Sequence, residues 1–306
     1  MDTHHPLFTE RLARLDAALR TLPDKPEETS TSALQALWHL AGGQPLSIEA
    51  ATRQPLPELN AAQLLRLDEL TAQRLSGTPL AHLTGRQHFM GLELLAGPQA
   101  LIPRQETELL ARTALTLLKQ VASTAGERPV KVIDVCTGSG NLAVALAHGE
   151  PRAQVFAADL SEDAVALAQA NAVHLGLQGR VQCRSGDLLA PFDDPDFHGQ
   201  VDLLVCNPPY ISSGKLDTMP TEIVGFEPRL AFDGGPFGVR ILQRLMREAP
   251  RYLRPAGWLV FEVGLGQGPA VMQWLNKAGH YDVVESALDA EGQPRAILAR
   301  HKEAIA

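Results

Sequence analysis

Four residues that could perform chemistry, Asn207-Pro208-Pro209-Tyr210, follow an apolar run at 201–206 that predicts a buried strand. Ligands of open α/β sheets bind at the carboxyl ends of strands. The Asn207 amide offers an acceptor oxygen and two donor hydrogens. Prolines have no N–H, so the Pro208 carbonyl can face a guest, and the Tyr210 ring can lie against a planar group. The set suits the binding of a planar –NH2 group by both hydrogens, although a proline-rich turn after a strand has the same pattern.

A glycine-rich turn precedes this tetrapeptide in the chain. It follows a predicted strand at 130–135, leads into a helix, and consists of Cys136, Thr137, Gly138, Ser139 and Gly140. Its glycines permit positive φ and close approach of a ligand to the backbone. The third glycine of a G-x-G-x-x-G pattern is replaced by Ala143, and no P-loop lysine follows the turn. The turn is therefore expected to hold a ligand that does not require phosphate neutralisation.

Two acidic positions complete a set at successive strand ends. Asp159 ends the second strand, about 20 residues past the turn, where a carboxylate can accept hydrogen bonds from ribose hydroxyls. Asp187 and Leu188 follow the third strand, where a carboxylate can accept from an adenine amine. Each acid alone is more often a cap or turn residue. Together with the turn and Asn207 they predict a nucleoside site, and S-adenosyl-L-methionine fits this set best.

From Val130 onward, strands and helices alternate, which predicts a mostly parallel sheet with helices on both faces. The fold class is α/β, with a seven-stranded, mostly parallel, doubly wound sheet of the class I methyltransferase type and a small N-terminal helical domain. We predict a helical domain at 1–77, a linker hairpin at 78–103 and a catalytic domain at 104–306. The expected strands are 130–135, 154–158, 180–184, 201–206, 257–263, 280–285 and 295–300.

The first eighty residues predict helices and no strands. Leucines at helical spacing mark a helix at 7–22, and a second is expected at 33–41. Asn60 is placed to cap a third helix, with Gln63 completing a capping box, and Gly77 ends it. This region could be a packing appendage or could bind a partner.

Composition limits the classes of partner and compartment. The 306 residues carry a net charge of −8, so no global basic field attracts nucleic acid or anionic lipid. No apolar run approaches the roughly 20 residues of a membrane helix, and the N-terminus lacks a signal peptide's pattern. The three cysteines have no metal-like spacing. We expect a cytoplasmic monomer without a metal site.

Several motifs together resemble the HemK-type protein-(glutamine-N5) methyltransferases, in their release-factor branch. The likeness covers residues 75 to 300, and Gln105 stands where the family has proline. The motifs are Leu80 to Gly85, Ile102-Pro103-Arg104-Gln105-Glu106-Thr107-Glu108, Asp134 to Gly140, Asn207 to Ile211, Phe226 to Ala231, Gly234 to Gly238 and Glu262-Val263-Gly264.

The resemblance implies methyl transfer from S-adenosyl-L-methionine to a glutamine amide, usually the Gly-Gly-Gln glutamine of peptide-chain release factors. Asn207, Pro208 and Tyr210 are the expected catalytic residues, and Pro209 joins them in binding substrate. The cofactor would be bound by the turn at 136–140 and by Asp159, Asp187, Leu188 and Asn207.

Other functions fit part of the pattern. An N6-adenine or N4-cytosine methyltransferase acting on nucleic acid would need the same four residues at 207–210, but the charge balance favours a protein substrate. A small-molecule N-methyltransferase and a non-catalytic nucleoside-binding module also remain open. Phe226 to Arg229 could form a wall beside the acceptor or a salt-bridged loop. Arg104 and Glu106 could line the cofactor mouth or cap their own helix.

Overall fold

The structure, a computed structural model, describes residues 5–303. Within them the chain forms two compact units. The first comprises 5–98, Ile102–Gln105 and Pro220–Glu227, and the second comprises Gln99–Leu101, Glu106–Met219 and 228–303. The domain boundaries at 77 and 103 stay a prediction.

The described elements have the following bounds. The helices are α1 Pro6–Ala18, α2 Ser30–Ala41, α3 Ile48–Thr52, α4 Ala61–Leu75, α5 Leu80–Thr84, α6 Thr107–Thr124, α7 Asn141–Gly149, α8 Glu162–His174, α9 Ser213–Leu216, α10 Thr221–Val224, α11 Arg240–Glu248 and α12 Gly268–Ala278. The strands are β1 Arg86–Phe89, β2 Leu92–Leu95, β3 Val130–Val135, β4 Ala153–Asp159, β5 Val181–Ser185, β6 Val201–Cys206, β7 Leu253–Glu262, β8 Tyr281–Leu288 and β9 Pro294–His301.

The second unit contains a seven-stranded sheet of order β5-β4-β3-β6-β7-β9-β8. Strands β3 to β7 pair in parallel, and β9 pairs antiparallel with both β7 and β8. The predicted fold class is therefore confirmed. Strand β7 begins at Leu253, earlier than expected, because the register with β6 shifts near Val201 and Ala256 takes a positive φ of 59°. The Pro255-Ala256-Gly257 run lies in this irregular part of the strand.

The sheet is held by apolar side chains on its central strands. All six residues of β6 are buried, as a strand covered on both faces requires. Leu204 and Phe261 belong to one cluster with Leu242 of α11 and Leu275 of α12. Complete burial of each such side chain stabilises the fold by about 1.5–3 kcal/mol.

In the first unit, helices pack around Trp38, whose ring lies 5.6 Å from that of Phe8. The predicted capping box is confirmed: the Asn60 side chain accepts from the Gln63 N–H at 3.0 Å, and the Gln63 side chain accepts from the Asn60 N–H at 2.9 Å. Helix α1 ends at Ala18 rather than at 22, and Leu19 is already extended.

The antiparallel hairpin expected between residues 78 and 103 is present as β1 and β2. Its turn residues, Met90 and Gly91, have φ values of 52° and 82°. Two consecutive positive φ values are typical of the type I′ turn, which matches the twist of the paired strands.

A buried set of charged side chains also belongs to the first unit, and we call it the N-terminal charge cluster. Arg74 contacts Glu28 at 2.6 Å and Glu222 at 3.0 Å, while Lys25 contacts Glu222 at 2.7 Å. The remaining members are Arg104, Asp24 and Glu227, with Arg104 2.7 Å from Asp24 and 2.6 Å from Glu227. Breaking a buried pair leaves an uncompensated charge, which costs about 3–5 kcal/mol. The cluster thus fixes segment 220–227 within this unit.

No described helix has both the length and the apolarity to cross a bilayer. No group of three or more His, Cys, Asp or Glu side chains among these residues could hold a metal ion.

Gly140 provides a test of the packing between α7 and α8. It precedes α7 with φ of 80°, and an added Cβ would lie 2.9 Å from the Ala168 Cβ. We expect Gly140→Ala to lower the free energy of unfolding by about 2–4 kcal/mol, since both backbone strain and overpacking contribute. Gly176→Ala is the matched control, because Gly176 has φ of 70° and open space around it. It should lose only about 1–2 kcal/mol in urea unfolding. Equal losses would contradict the packing argument.

Candidate active site

The four strand ends singled out by their sequence lie along one edge of the sheet. Strands β5, β4, β3 and β6 are neighbours in that order and run parallel. The turn at 136–140, Asp159, Asp187-Leu188 and Asn207 follow their carboxyl ends. The chain moves from β3 to β4 and β5 on one side and then returns to β6 on the other. Such a reversal is the topological switch point at which α/β sheets bind ligands.

Two residues that are not glycine have positive φ at this edge. Cys136 in the turn has φ of 58°, and Leu188 after β5 has φ of 49°. The left-handed region is unfavourable for such residues, and backbone strain of this kind clusters at functional sites. Their residue types gave no sign of this conformation.

Asp159 is tied to the glycine-rich turn. Its Oδ2 accepts from the Gly138 N–H at 2.9 Å, and its Oδ1 accepts from the Ser161 N–H at 3.0 Å. Burial raises the pKa of this carboxyl, while these backbone donors lower it. Each oxygen keeps acceptor capacity for a hydroxyl group.

Asp134 lies beneath the turn and was not among the predicted site residues. Its Oδ2 accepts from the Thr137 hydroxyl at 2.6 Å. Its Oδ1 and the Ser139 Oγ are buried and have no hydrogen-bond partner among residues 5–303. Burial raises the pKa of Asp134 to about 7, and the Thr137 hydrogen bond opposes this shift. These acids and unpaired polar atoms fit a ligand with a cationic, hydrogen-bonding end, as the amino-acid part of S-adenosyl-L-methionine has.

The predicted adenine contact is more exposed. Asp187 accepts from the Arg244 guanidinium of α11 at 2.9 Å, and about half of its side-chain surface reaches solvent. Leu188 is buried beside it. The carboxylate lies at the expected strand end with a cationic partner that the sequence did not indicate.

Asn207 and Pro208 present two open acceptors. The Asn207 Nδ2 donates to the Thr107 Oγ1 at 3.1 Å. No residue in the described part of the chain donates a hydrogen bond to the Asn207 Oδ1 or to the Pro208 carbonyl oxygen. Thr107, at the start of α6, is the partner that sequence reasoning missed.

Tyr210 is fixed at both ends. Its hydroxyl donates to the Glu262 Oε1 at 3.0 Å, and its carbonyl accepts from the Gln267 side chain at 3.1 Å. A Cβ on Gly264 would lie 3.0 Å from the Tyr210 ring. These contacts give the Glu262-Val263-Gly264 motif a role, because its acid holds the hydroxyl and its glycine admits the ring.

The Gly234 to Gly238 motif supports the same tetrapeptide. A Cβ on Gly234 would lie 2.7 Å from the Pro209 carbonyl oxygen, and one on Gly238 would lie 2.3 Å from that of Tyr210. Only glycine allows these close approaches.

Glu262 is another residue that sequence reasoning left without a role. Burial, together with the negative Glu106, raises its pKa to about 7 against the lowering effects of Thr107, Arg295 and Tyr210. The Arg295 guanidinium lies 3.0 Å from Glu106 and 3.7 Å from Glu262.

The charged residues for which the sequence left two roles open have definite partners in the structure. Arg104 belongs to the N-terminal charge cluster, and Glu227 accepts from the Ile102 N–H at 2.8 Å as well as from Arg104. The salt-bridged alternative therefore describes Glu227. Glu106 precedes α6 without a side-chain capping bond and pairs with Arg295 instead.

The raised pKa of Asp134 predicts a pH-dependent effect of Asp134→Asn. The carboxyl titrates near 3.8 when unfolded and near 7 when folded, so its contribution to stability is complete below about pH 4 and is lost as pH rises through 7. The asparagine variant cannot ionise and avoids this loss. Relative to wild type, it should gain about 3 kcal/mol in free energy of unfolding between pH 5 and pH 8, measured in urea. A difference that does not change with pH would contradict the assignment.

A family model described as the methyltransferase small domain matches residues 110–225. Among solved structures, the hMettl16 catalytic domain in complex with MAT2A 3′UTR hairpin 1 is similar, with a TM-score of 0.54 and 14% sequence identity. The match covers 76% of this chain and 80% of that one, and at this identity it shows the fold alone. The methyltransferase family and fold imply S-adenosyl-L-methionine as methyl donor, which confirms the predicted cofactor.

Curated relatives match most of the chain. The release factor glutamine methyltransferase of Moorella thermoacetica is 40% identical over 246 residues, covering 80% of this chain and 83% of the relative. That of Geobacter sulfurreducens is 38% identical over 242 residues, covering 79% and 80%. The resemblance inferred from the motifs is thus confirmed, and the chain belongs to the release factor glutamine methyltransferase family.

Proposed function

We propose that this protein transfers a methyl group from S-adenosyl-L-methionine to the side-chain amide nitrogen of a glutamine in a peptide-chain release factor, namely the glutamine of its Gly-Gly-Gln sequence. One observation supports this above all others. The Asn207 Oδ1 and the Pro208 carbonyl are adjacent acceptors without a protein donor in residues 5–303, at the sheet's switch point.

The acceptor pair addresses the weakness of an amide nucleophile, whose lone pair is delocalised into its carbonyl. When Asn207 and Pro208 each accept one N–H, the nitrogen is held in a fixed orientation toward the methyl donor. Such in-line positioning supplies much of the rate. The bound donor supplies an electrophilic methyl group on a sulfonium. The C–N bond forms as the C–S bond breaks, and the nitrogen's extra proton leaves to water, so no strong general base is required.

Pro209 and Tyr210 shape the same site. Pro209 adds no N–H that could compete for the two acceptors. The Tyr210 ring, fixed by Glu262 and Gln267, can form a flat wall against the amide plane.

We assign cofactor binding to the remaining strand ends. Asp159 would accept from the ribose hydroxyls, and Asp187 with Leu188 would border the adenine. Residues Cys136 to Gly140 would hold the amino-acid part, with Asp134 and Ser139 supplying the buried polar atoms beneath it. Asn207 lies beside this turn because β6 pairs with β3.

A protein substrate is supported over nucleic acid by the net charge of −8 and by the names of the relatives. We also propose that the reaction takes place in the cytoplasm, which the release-factor names of the relatives support, and that the protein acts as a monomer.

We expect Asn207→Ala to lower methyl transfer by at least about 100-fold, because one of two orienting acceptors is lost. The measurement is transfer of labelled methyl from S-adenosyl-L-methionine to a release factor, with cofactor affinity measured by calorimetry. Cofactor binding should persist. Asn276→Ala, on the exposed side of α12, is the matched control and should retain full activity.

Three substrates test the acceptor class: the release factor, its Gln→Ala variant and duplex DNA. Label is expected on the first alone. Label on DNA, or equal label on both release factors, would overturn the proposed function.

A further inference from the structure

Two large apolar side chains lie in solvent beside Tyr210. Phe237 is 84% exposed and Leu265 is 69% exposed. Pro236, which precedes Phe237, is exposed as well. Single exposed apolar residues are normal on a protein surface, so the feature that requires a reason is that these three share one neighbourhood. We call Pro236, Phe237 and Leu265 the apolar rim.

A glycine next to each of the two large side chains touches Tyr210. A Cβ on Gly238, which follows Phe237, would lie 2.3 Å from the Tyr210 carbonyl oxygen. A Cβ on Gly264, which precedes Leu265, would lie 3.0 Å from the Tyr210 ring. Since consecutive Cα atoms are about 3.8 Å apart, Phe237 and Leu265 each lie one residue away from direct contact with Tyr210.

The Gln267 side chain holds the two turns of the rim together. Its Nε2 donates to the carbonyl oxygens of Tyr210 and Gly238, at 3.1 Å and 3.2 Å. Its Oε1 accepts from the Gly264 N–H at 2.9 Å. The backbone of both turns is thus fixed relative to Tyr210, so little conformational entropy has to be lost there when a partner binds.

A protein substrate brings its own chain to this border of the site. The inference drawn here rests on the proposed function, in which the glutamine amide binds at Asn207 and Pro208, beside Tyr210. The residues before and after the glutamine are each only about 3.8 Å further along the substrate chain, so they lie at the border of the site. The two glycines of Gly-Gly-Gln have no side chains, which leaves their peptide planes open to contact with an aromatic ring.

We propose that the apolar rim is the surface on which the release factor segment next to the methylated glutamine packs. Phe237 is its central contact, because truncation of aromatic side chains is among the most costly at protein interfaces. The two acceptors at Asn207 and Pro208 can bind any planar –NH2 group, and the rim adds affinity for the polypeptide chain that carries it. Its task is substrate binding, and the chemical step does not use it.

Truncation of the rim tests this assignment in the release factor methylation assay. We expect Phe237→Ala to raise KM for the release factor about 5- to 30-fold and Leu265→Ala to raise it about 3- to 10-fold, with kcat within about 3-fold of wild type. Cofactor affinity should not change. Because both side chains are exposed, the urea unfolding midpoints should equal that of wild type.

Val173→Ala is the matched control. Val173 is 57% exposed and lies at the end of α8, which leads to the start of β5 and away from the strand ends that carry the site. Both kinetic constants of this variant should be those of wild type. An unchanged KM in Phe237→Ala, or an equal rise of KM in Val173→Ala, would overturn the inference.

Photo-cross-linking identifies the segment that covers the rim. With p-benzoylphenylalanine at position 237, illumination in the presence of the release factor and S-adenosyl-L-homocysteine should join the two proteins. Mass spectrometry should place the cross-link on residues that flank the glutamine. A cross-link to a second copy of this chain, to a distant surface of the release factor, or to neither would overturn the inference. In each of these outcomes wild type still methylates the release factor, whereas failure of wild type itself would reject the proposed function.

Discussion

The parallel pairing of β6 with β3 is the constraint on which the site depends. Strand β6 is buried along its whole length, so its register cannot slip without exposing apolar side chains. Val135 is paired with Cys206, so the residue before the glycine-rich turn lies level with the residue before Asn207. The pairing therefore places the glycine-rich turn side by side with the tetrapeptide at 207–210, although about seventy residues of chain separate them; we propose that the first binds the cofactor and the second the substrate amide.

Burial of carboxyl groups is the electrostatic feature of this edge. The pKa values of Asp134, Asp159 and Glu262 are all raised by burial, and each carboxyl is directed by hydroxyl or backbone donors. Desolvation of a carboxylate is costly, and proteins retain such groups most often at functional sites. Here the acids hold the turn and the tetrapeptide in place.

Local sequence patterns were sufficient to predict the strands, the Asn60 capping box and the edge where the site lies, because apolar periodicity and cap chemistry act over a few residues. Contacts between distant residues were not predictable in this way. Thr107 meets Asn207 across one hundred residues, and Arg244 meets Asp187 across fifty-seven. No local pattern marks such pairs. No local pattern predicts the positive φ values of Cys136 and Leu188 either, because these depend on the surroundings of each residue. The motif resemblance named Glu262 and Thr107 but gave no reason for them.

The N-terminal charge cluster has a consequence for biosynthesis. Arg74 and Lys25 are made early, but their shared partner Glu222 lies almost 150 residues beyond Arg74. While the nascent chain emerges, Arg74 can pair with Glu28, but Lys25 has no counterion from segment 220–227 and must stay hydrated, since its burial unpaired would be costly. The helical unit can therefore reach its final compact form only after most of the polypeptide has left the ribosome, and a fragment ending near residue 98 would lack Glu222, the acid that pairs with Lys25.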